Sequence, residues 1–570
     1  MNLLPILAVH LVLTALPGVA AVLVAARAGL RQVPLLLAIG LAATGVLAML
    51  AFWTYYADPR IGETFAWLVL LGSILLIGLS LYGRRPDPAL LRSLATPLAL
   101  WALGSAFLVF LGFLYGGTEH SLTTATTRFS GPLPSDNRIP FYFAEWFFEY
   151  GHHRAVPVFP PEWLSSDRPP LQEGYVVAQR AFGWEKPELH YQVLGVVLQQ
   201  LWIVGLWALL LAARVGRLTR GLALITVLLS DLAIVNGFFV WPKLLPAAML
   251  LAATALVATP LWPRLRHDPR AGALVGVLLA LAMLGHGSSI FAVVPLAIFA
   301  AFRGLPSGRW LAVALLAGAL LTVPWSAYQK WGDPPGNRLS KWMLGGAVEI
   351  DDRSTSEAIV DGYREAGFGG TIDNKLQNFF TIAGGDHAFD LAREAVEAAG
   401  DGDAELAVRQ TRAVSFLYLL PSLGLLLIAL PAMVLGRNRA RGSPAEWSFA
   451  LICLAIVAIG CLTWALLIFG SEPARTAIHV GSYLIPILAL CGAAVGLRAA
   501  FPRFAIWYLA ANAVLMLALY VPLIEPALPD LAFSPFAAVL AAASLAGFTL
   551  LALRCPTRLA GTLGTNDRRS

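Results

Sequence analysis

The sequence predicts an all-α polytopic integral membrane protein of about 13–15 transmembrane helices, with two long extracytoplasmic loops that contain short helices. Three observations predict it. Only 13% of the 570 residues are charged, where a soluble chain carries about 25%, and the mean hydropathy is +0.71. Apolar runs of about 20 residues, each enough to cross about 30 Å of hydrocarbon, recur along the whole length. Finally, the basic residues sit singly or in threes in alternate turns, a pattern of topology. The net charge of +6 therefore does not make a nucleic-acid footprint, which needs a clustered basic face.

The runs fall near 3–26, 33–56, 65–83, 94–116, 191–213, 218–240, 242–262, 271–285, 288–302, 310–328, 413–436, 447–469, 477–498, 504–524 and 534–554. The first lacks a basic n-region and exceeds the length of a signal-peptide core, so it is expected to remain as an anchor. One set of turns carries Arg27/Arg31, Arg84/Arg85/Arg92, Arg214/Arg217/Arg220, Arg264/Arg266/Arg270, Arg303/Arg309, Arg437/Arg439/Arg441, Arg498/Arg503 and Arg554/Arg558. The intervening short turns hold only Arg60, Lys243 and Arg475. The positive-inside rule puts the first set in the cytoplasm. The N-terminus is then outside, the C-terminus inside, and both long loops, about 117–190 and 329–412, face away from the cytoplasm. Arginine far outnumbers lysine, which points to a GC-rich bacterial genome and hence to the inner or plasma membrane of a bacterium.

Smaller features follow the same order. His10, alone in an apolar run, reads as a helix–helix hydrogen-bonding residue, and Tyr55-Tyr56-Ala57-Asp58 as an interfacial aromatic belt or the edge of a site. The segment 271–302, split at Gly285-His286-Gly287-Ser288-Ser289, is either a tight hairpin of short helices or one broken helix. Charge alternation requires the hairpin, with its tip outside; short helices are common where backbone lines a cavity. The second loop opens with Trp331-Gly332-Asp333-Pro334-Pro335-Gly336-Asn337-Arg338 and Lys341-Trp342, a site-like stretch, then turns acidic and helix-like from Ser354 to about Arg412. Cys453, Cys461, Cys491 and Cys555 lie in or beside apolar runs without pairing or metal spacing, so neither disulfide nor zinc is expected.

The polar passage from Ser135-Asp136-Asn137-Arg138 to Ser166-Asp167-Arg168-Pro169-Pro170-Leu171 stands out against this background. Topology brings to the same outer face Asp136, Arg138, Asp167 and Arg168, with Lys243, His286, Arg338, Lys341, Glu472, Arg475 and His479. Charges close to hydrocarbon are costly and tend to be functional. Cations with one or two carboxylates suit a reaction in which phosphate departs: the base takes a hydroxyl proton and the cations offset the leaving group's charge. Each residue also has an ordinary reading. Lys243 can snorkel, His286 can cap a helix, Glu472 and Arg475 can pair with each other, and Asp136 can be a turn residue.

Asp136-Asn137-Arg138-Ile139-Pro140-Phe141-Tyr142-Phe143-Ala144-Glu145-Trp146, then Gly151, then Asp167-Arg168-Pro169-Pro170-Leu171, resembles the first outer loop of the GT-C membrane glycosyltransferases. The resemblance is to the protein O-mannosyltransferases and lipid A aminoarabinose transferases, whose loop has an acidic residue, an amphipathic helix, a Gly and an acidic-x-Pro-Pro-Leu element. Arg475 followed by Tyr483-Leu484-Ile485-Pro486 is similar to their late basic-x-Tyr-x-x-Pro pattern. The resemblance, over roughly 94–500, implies a GT-C-like fold, a polyprenyl-phosphate-linked sugar donor, a glycan, lipid or protein acceptor, and inverting transfer outside the cytoplasm. It implies Asp136 as general base and Asp167 at the second acidic position. Arg475, with Arg168, Lys243 and His286, would bind donor phosphate; Arg138, Glu145, Arg338, Lys341 and Tyr483 would face sugar or acceptor. No organic cofactor is expected. Asn137 stands where the families usually have Glu, which leaves a divalent metal open. The chain then divides into additional helices (1–93), a core (94–328) with loop 117–190, the second loop (329–412), the rest of the core (413–500), and extra helices with a cytoplasmic tail (501–570).

Two other function classes fit the composition. A polymerase or ligase of lipid-linked glycans shares large outer loops and convergent Arg and His, but lacks the acidic-x-Pro-Pro-Leu element. A transporter or flippase calls for internal repeats and polar residues at mid-membrane; Asp231, with Asn236 near it, is the one clearly acidic residue deep in a run, and no repeat is evident.

Overall fold

The computed structural model describes residues 3–82, 87–129, 133–160, 162–347, 349–382, 385–417, 425–470, 483–524, 528 and 531–554. Among them the chain is helical, with one isolated bridge between Phe159 and Trp163 and no strand. Each apolar run is helical over most of its described residues, yet only nine of the described helices are long and apolar enough to cross a membrane, ten if one bent pair counts as a span. The all-α polytopic membrane class expected from the sequence is therefore present, with nine or ten described full-length spans beside the 13–15 expected. Five apolar helices are shorter: Leu244–Val257, Pro269–Gly285, Gly287–Phe302, Leu425–Gly436 and Leu484–Ala500. At 1.5 Å per residue, 17 residues reach only about 25 Å. Polar side chains interrupt the runs: Ser230 caps Ala233 N where Arg217–Leu228 and Asp231–Phe239 meet at 54°.

The centre of the bundle is held by helices apolar on all sides, as interior membrane helices must be. Pro187–Ala212 is wholly buried over its most apolar window, and every residue of Leu244–Val257 is buried. Pro59–Leu81 and Gly308–Gly332 lie at the periphery and leave Leu68, Leu71, Leu75, Leu315 and Leu320 exposed, a surface suited to lipid. Small residues permit the closest approaches: a Cβ on Gly276 would stand 2.1 Å from Ala314 O.

The arginine-bearing turns gather at one end. Arg27 donates to Leu79 O and Tyr82 O, Arg217 to Leu553 O at 2.8 Å, and Ser307 N to Arg266 O at 2.9 Å. The segment 269–302 is a splayed hairpin. Its first arm packs on Gly308–Ala327 and its second on Pro444–Leu467, while Arg303 donates to Ala258 O, and Trp262 to Gly304 O at 3.1 Å, back at the arginine-rich end. The tip at His286 is therefore at the opposite end.

Part of the passage read as outer loop lies inside the bundle. Helix Leu171–Arg180 packs against Val33–Ala57 and Leu3–Arg27: Gly174 sits against Ala48 O, and Tyr175 donates to Thr44 Oγ1 at 3.0 Å. Gln179 Nε2 donates to Thr14 Oγ1 at 2.9 Å, and its Oε1 faces His10 Nδ1 at 2.8 Å. This helix has too few consecutive apolar residues to read as buried, but four of its polar side chains have polar partners: Tyr175 and Gln179 on the early helices, Gln172 on Tyr191, Gln199 and Val240 O, and Arg180 on Glu145. The second loop forms helices Arg338–Gly345, Thr355–Ile382 with a break at Gly367, Gly385–Gly400 and Ala404–Leu417. Ser354 and Glu357 form a reciprocal cap at the start of the second.

Candidate active site

At the end opposite the arginine-rich turns, three stretches distant in sequence meet. Pro134 leads into a 3-10 turn, Ser135–Arg138, that runs into helix Ile139–Tyr150 with Pro140 in its first turn. Asp136 sits on that turn. Asn137 beside it is buried; its O accepts from Tyr191 OH at 2.7 Å and its Nδ2 donates to Leu122 O at 3.3 Å. These bonds anchor the turn to the bundle.

The second acidic position ends the 3-10 helix Ser165–Asp167. Asp167 accepts from Leu164 N at 2.9 Å, and its Oδ1 is buried without a partner among the described residues. Arg168 is extended (φ −117°, ψ 125°), the conformation that a following proline imposes. Its guanidinium donates to Asp136 Oδ2 at 3.1 Å, stacks on Trp163 at 4.2 Å and lies 5.6 Å from Trp241. The pair is largely out of water, with side-chain exposures of 7% for Arg168 and 17% for Asp136, so its charges are weakly screened.

Lys243 comes from the turn between Asp231–Phe239 and Leu244–Val257. It is fully buried, which rules out snorkelling. Its Nζ lies 4.1 Å over Trp241 and 2.7 Å from His286 Nε2, and it is within electrostatic reach of Arg168 and Asp136. His286 Nδ1 faces Ser288 Oγ at 2.8 Å.

The second loop closes over this group. Asp333 accepts from Ser165 Oγ at 2.6 Å and from Ser166 N at 3.2 Å; Tyr328 OH contacts Ser165 Oγ. Gln329 Nε2 donates to Ser166 O at 2.9 Å, and Arg338 donates to Glu162 O at 2.7 Å while stacking on Trp163 at 4.7 Å. Burial pushes the Asp167 carboxyl up to about 6, against the Leu164 N–H and the charges of Arg338 and Arg168, with Asp333 adding to the rise.

Asp136, Asp167, Arg168, Lys243, His286 and Arg338 thus belong to one assembly. Others stand apart. Arg138 donates to Thr123 Oγ1 at 2.9 Å, and Glu145 accepts from Arg180 at 2.9 Å. Lys341 is tied to Asp351 at 2.7 Å, and Tyr483 donates to Asn236 Oδ1 at 3.0 Å in the bundle interior. Glu472, Arg475 and His479 lie outside the described residues. Residues missed in the sequence are Trp163, Ser165, Asp333, Trp241 and Glu173. Trp163, Ser165 and Asp333 stood within stretches already singled out, and Trp241 lies two residues before Lys243, whereas Glu173 carried no signal. It is buried next to Arg168, with Oε2 unpartnered among the described residues. Among the described residues no three His, Cys, Asp or Glu side chains converge as metal ligands.

The arrangement offers a carboxylate pair, two or three cations and two indole faces around buried oxygens that lack partners among the described residues. Buried polar atoms need hydrogen bonds, so Ser166 Oγ, Asp167 Oδ1 and Glu173 Oε2 mark a place for hydroxyl-rich or aqueous occupants. No protein family, curated protein or solved structure matches the chain.

Proposed function

We propose that the chain is a GT-C-type membrane glycosyltransferase that moves a sugar, with inversion, from a polyprenyl-phosphate donor to an acceptor on the extracytoplasmic face. One observation carries the reading: Asp136 and Asp167 share a poorly solvated assembly with Arg168, Lys243 and His286 at the end away from the arginine-rich turns. Positive-inside topology makes that end extracytoplasmic.

In this reaction Asp136 takes the proton of the acceptor hydroxyl as its oxygen forms the new bond to the sugar's anomeric carbon. The bond from that carbon to the phosphate oxygen breaks, and its electron pair leaves with the polyprenyl phosphate. Arg168 and Lys243 stabilise the departing charge in a site where water screens little. The ion pair between Arg168 and Asp136 then has a role: donor phosphate competes for the guanidinium and releases the carboxylate to act as base. Asp167 and Asp333 accept from sugar or acceptor hydroxyls.

The test is transfer by the purified full-length protein from a panel of polyprenyl-phospho-sugars. Asp136→Asn is expected to keep its melting temperature and lose transfer by about 10²–10⁴-fold, the usual contribution of general-base catalysis. Full transfer by this variant rejects the base assignment. Activity confined to lipid diphosphate oligosaccharides moves the protein to the polymerase or ligase class.

A further inference from the structure

A cavity lies at the arginine-rich end, remote from the assembly just described. It has a volume of about 490 Å³ and is lined by Phe299, Arg437 and one stripe of helix Pro444–Leu467. The stripe is Pro444, Trp447, Ser448, Leu451, Ile452 and Ala455, successive steps of three and one residues that keep to a single helix face. From Pro444 to Ala455 the eleven rises cover about 16 Å of helix, which matches one leaflet of a core about 30 Å thick. The volume falls within the range of about 300–1,000 Å³ typical of small-molecule sites.

The polar groups are all at the mouth. Arg437 follows the end of helix Leu425–Gly436 and is exposed there, and Trp447 occupies the depth at which indole rings favour a membrane interface. The nearest acid on the same helix, Glu446, is turned away and accepts from Gly216 N at 3.2 Å. Among the described residues Arg437 forms no ion pair, whereas Arg168, Arg180 and Arg338 each hold a carboxylate. A cation at the mouth and an apolar slot one leaflet deep are complementary to an anion attached to a single hydrocarbon chain.

We infer that this groove is a binding site for an anionic phospholipid of the arginine-side leaflet, its phosphate on Arg437 and one acyl chain along Trp447 to Ala455. The site is independent of the reaction proposed above, since it shares no residue with it. It distinguishes lipids by headgroup charge, because a zwitterionic headgroup offers Arg437 a phosphate already neutralised by its own ammonium.

Native mass spectrometry of the full-length protein, after exchange into detergent with phosphatidylglycerol or phosphatidylcholine, tests it. The wild type is expected to retain one phosphatidylglycerol with at least fivefold preference over phosphatidylcholine. Arg437→Gln should lose that preference while keeping its melting temperature. Ala455→Trp, which fills the slot, should reduce retention of both lipids. Arg309→Gln removes an exposed arginine at the same end without touching the groove and should change neither. Glycerol phosphate without acyl chains should not displace the bound lipid. Three results overturn the site: no preference in the wild type, equal losses in the Arg437 and Arg309 variants, or full retention by Ala455→Trp.

Discussion

At Lys243 the competing roles of a buried cation can be separated. A lysine with no access to water is held against a desolvation penalty, and replacing it offsets that penalty while leaving His286 Nε2 without its 2.7 Å partner. Lys243→Met paired with His286→Leu is therefore expected to fold with a melting temperature near that of the wild type, while Lys243→Met alone loses about 10²–10³-fold in transfer if the ammonium stabilises the leaving phosphate. A variant that melts early and turns over normally assigns Lys243 to packing instead. Asp167 makes a pH prediction. Its folded value of about 6 lies above the ordinary 3.8, so the folded state holds this proton more tightly than the unfolded chain. Below pH 3.8 both states are protonated and Asp167 costs nothing. As pH rises from about 4 to 6 the unfolded chain ionises first, and stability falls by about 3 kcal/mol in all before levelling off. Thermal melts across that range should slope downward for the wild type and flatten in Asp167→Asn. If ionised Asp167 is needed for transfer, activity rises with pH through about 6. Asp333→Asn shifts that limb to lower pH and Arg338→Gln to higher pH, because the first removes a like charge and the second an opposite one.

Among the elements, helix Leu171–Arg180 has most to do with how the site is held. It starts three residues after Arg168 and is wedged between the first two helices by Gly174, where a Cβ would come within 2.2 Å of Ala48 O. Gly174→Ala must push the helix off its neighbour, an overpacking cost of about 1–3 kcal/mol. It should lower the melting temperature and weaken transfer together, since Arg168 moves with the helix. A melting temperature unchanged from wild type would mean that the wedge is not tight. The periodicity of this segment, with Gln172, Glu173, Tyr175 and Gln179 spread around it, gives no sign of burial from the sequence. Partners on Leu3–Arg27, Val33–Ala57 and Pro187–Gln199, together with Val240 O, make a buried position tolerable. The short apolar helices have the same origin. Length along the chain showed where hydrocarbon is crossed, but Ser230, Trp241-Pro242 and His286 end the helices early, where neighbouring segments supply the polar contacts.

For the whole molecule, topology is the property on which the proposed function rests. Trp331 is exposed at the site end and Leu305 at the arginine-rich end. In sealed cells or vesicles of known orientation a membrane-impermeant thiol reagent should label Trp331→Cys from the outer side and leave Leu305→Cys unlabelled until the membrane is broken. Cys453 and Cys491 are buried and contribute little background. The reverse pattern would put the assembly in the cytoplasm and remove the extracytoplasmic donor from consideration. The early helices pack directly on Leu171–Arg180, Pro187–Ala212 and Leu244–Val257, so they share the core that carries the site.

The sequence alone determined the membrane class, the positions of the apolar helices, the alternation of charged turns and the two long polar passages. Each is a property of residues adjacent along the chain, because partitioning into hydrocarbon depends on local composition. It also singled out Asp136, Asp167, Arg168, Lys243, His286 and Arg338, since a charge beside an apolar run is conspicuous wherever it falls. Tertiary structure decided which of those charges meet, and that Arg138, Glu145, Lys341 and Tyr483 turn to other partners. It also brought Asp333 and the two indoles to the group and buried Glu173 beside Arg168. Those outcomes depend on how helices hundreds of residues apart pack, and on the need of each buried polar atom for a partner that no local pattern can supply.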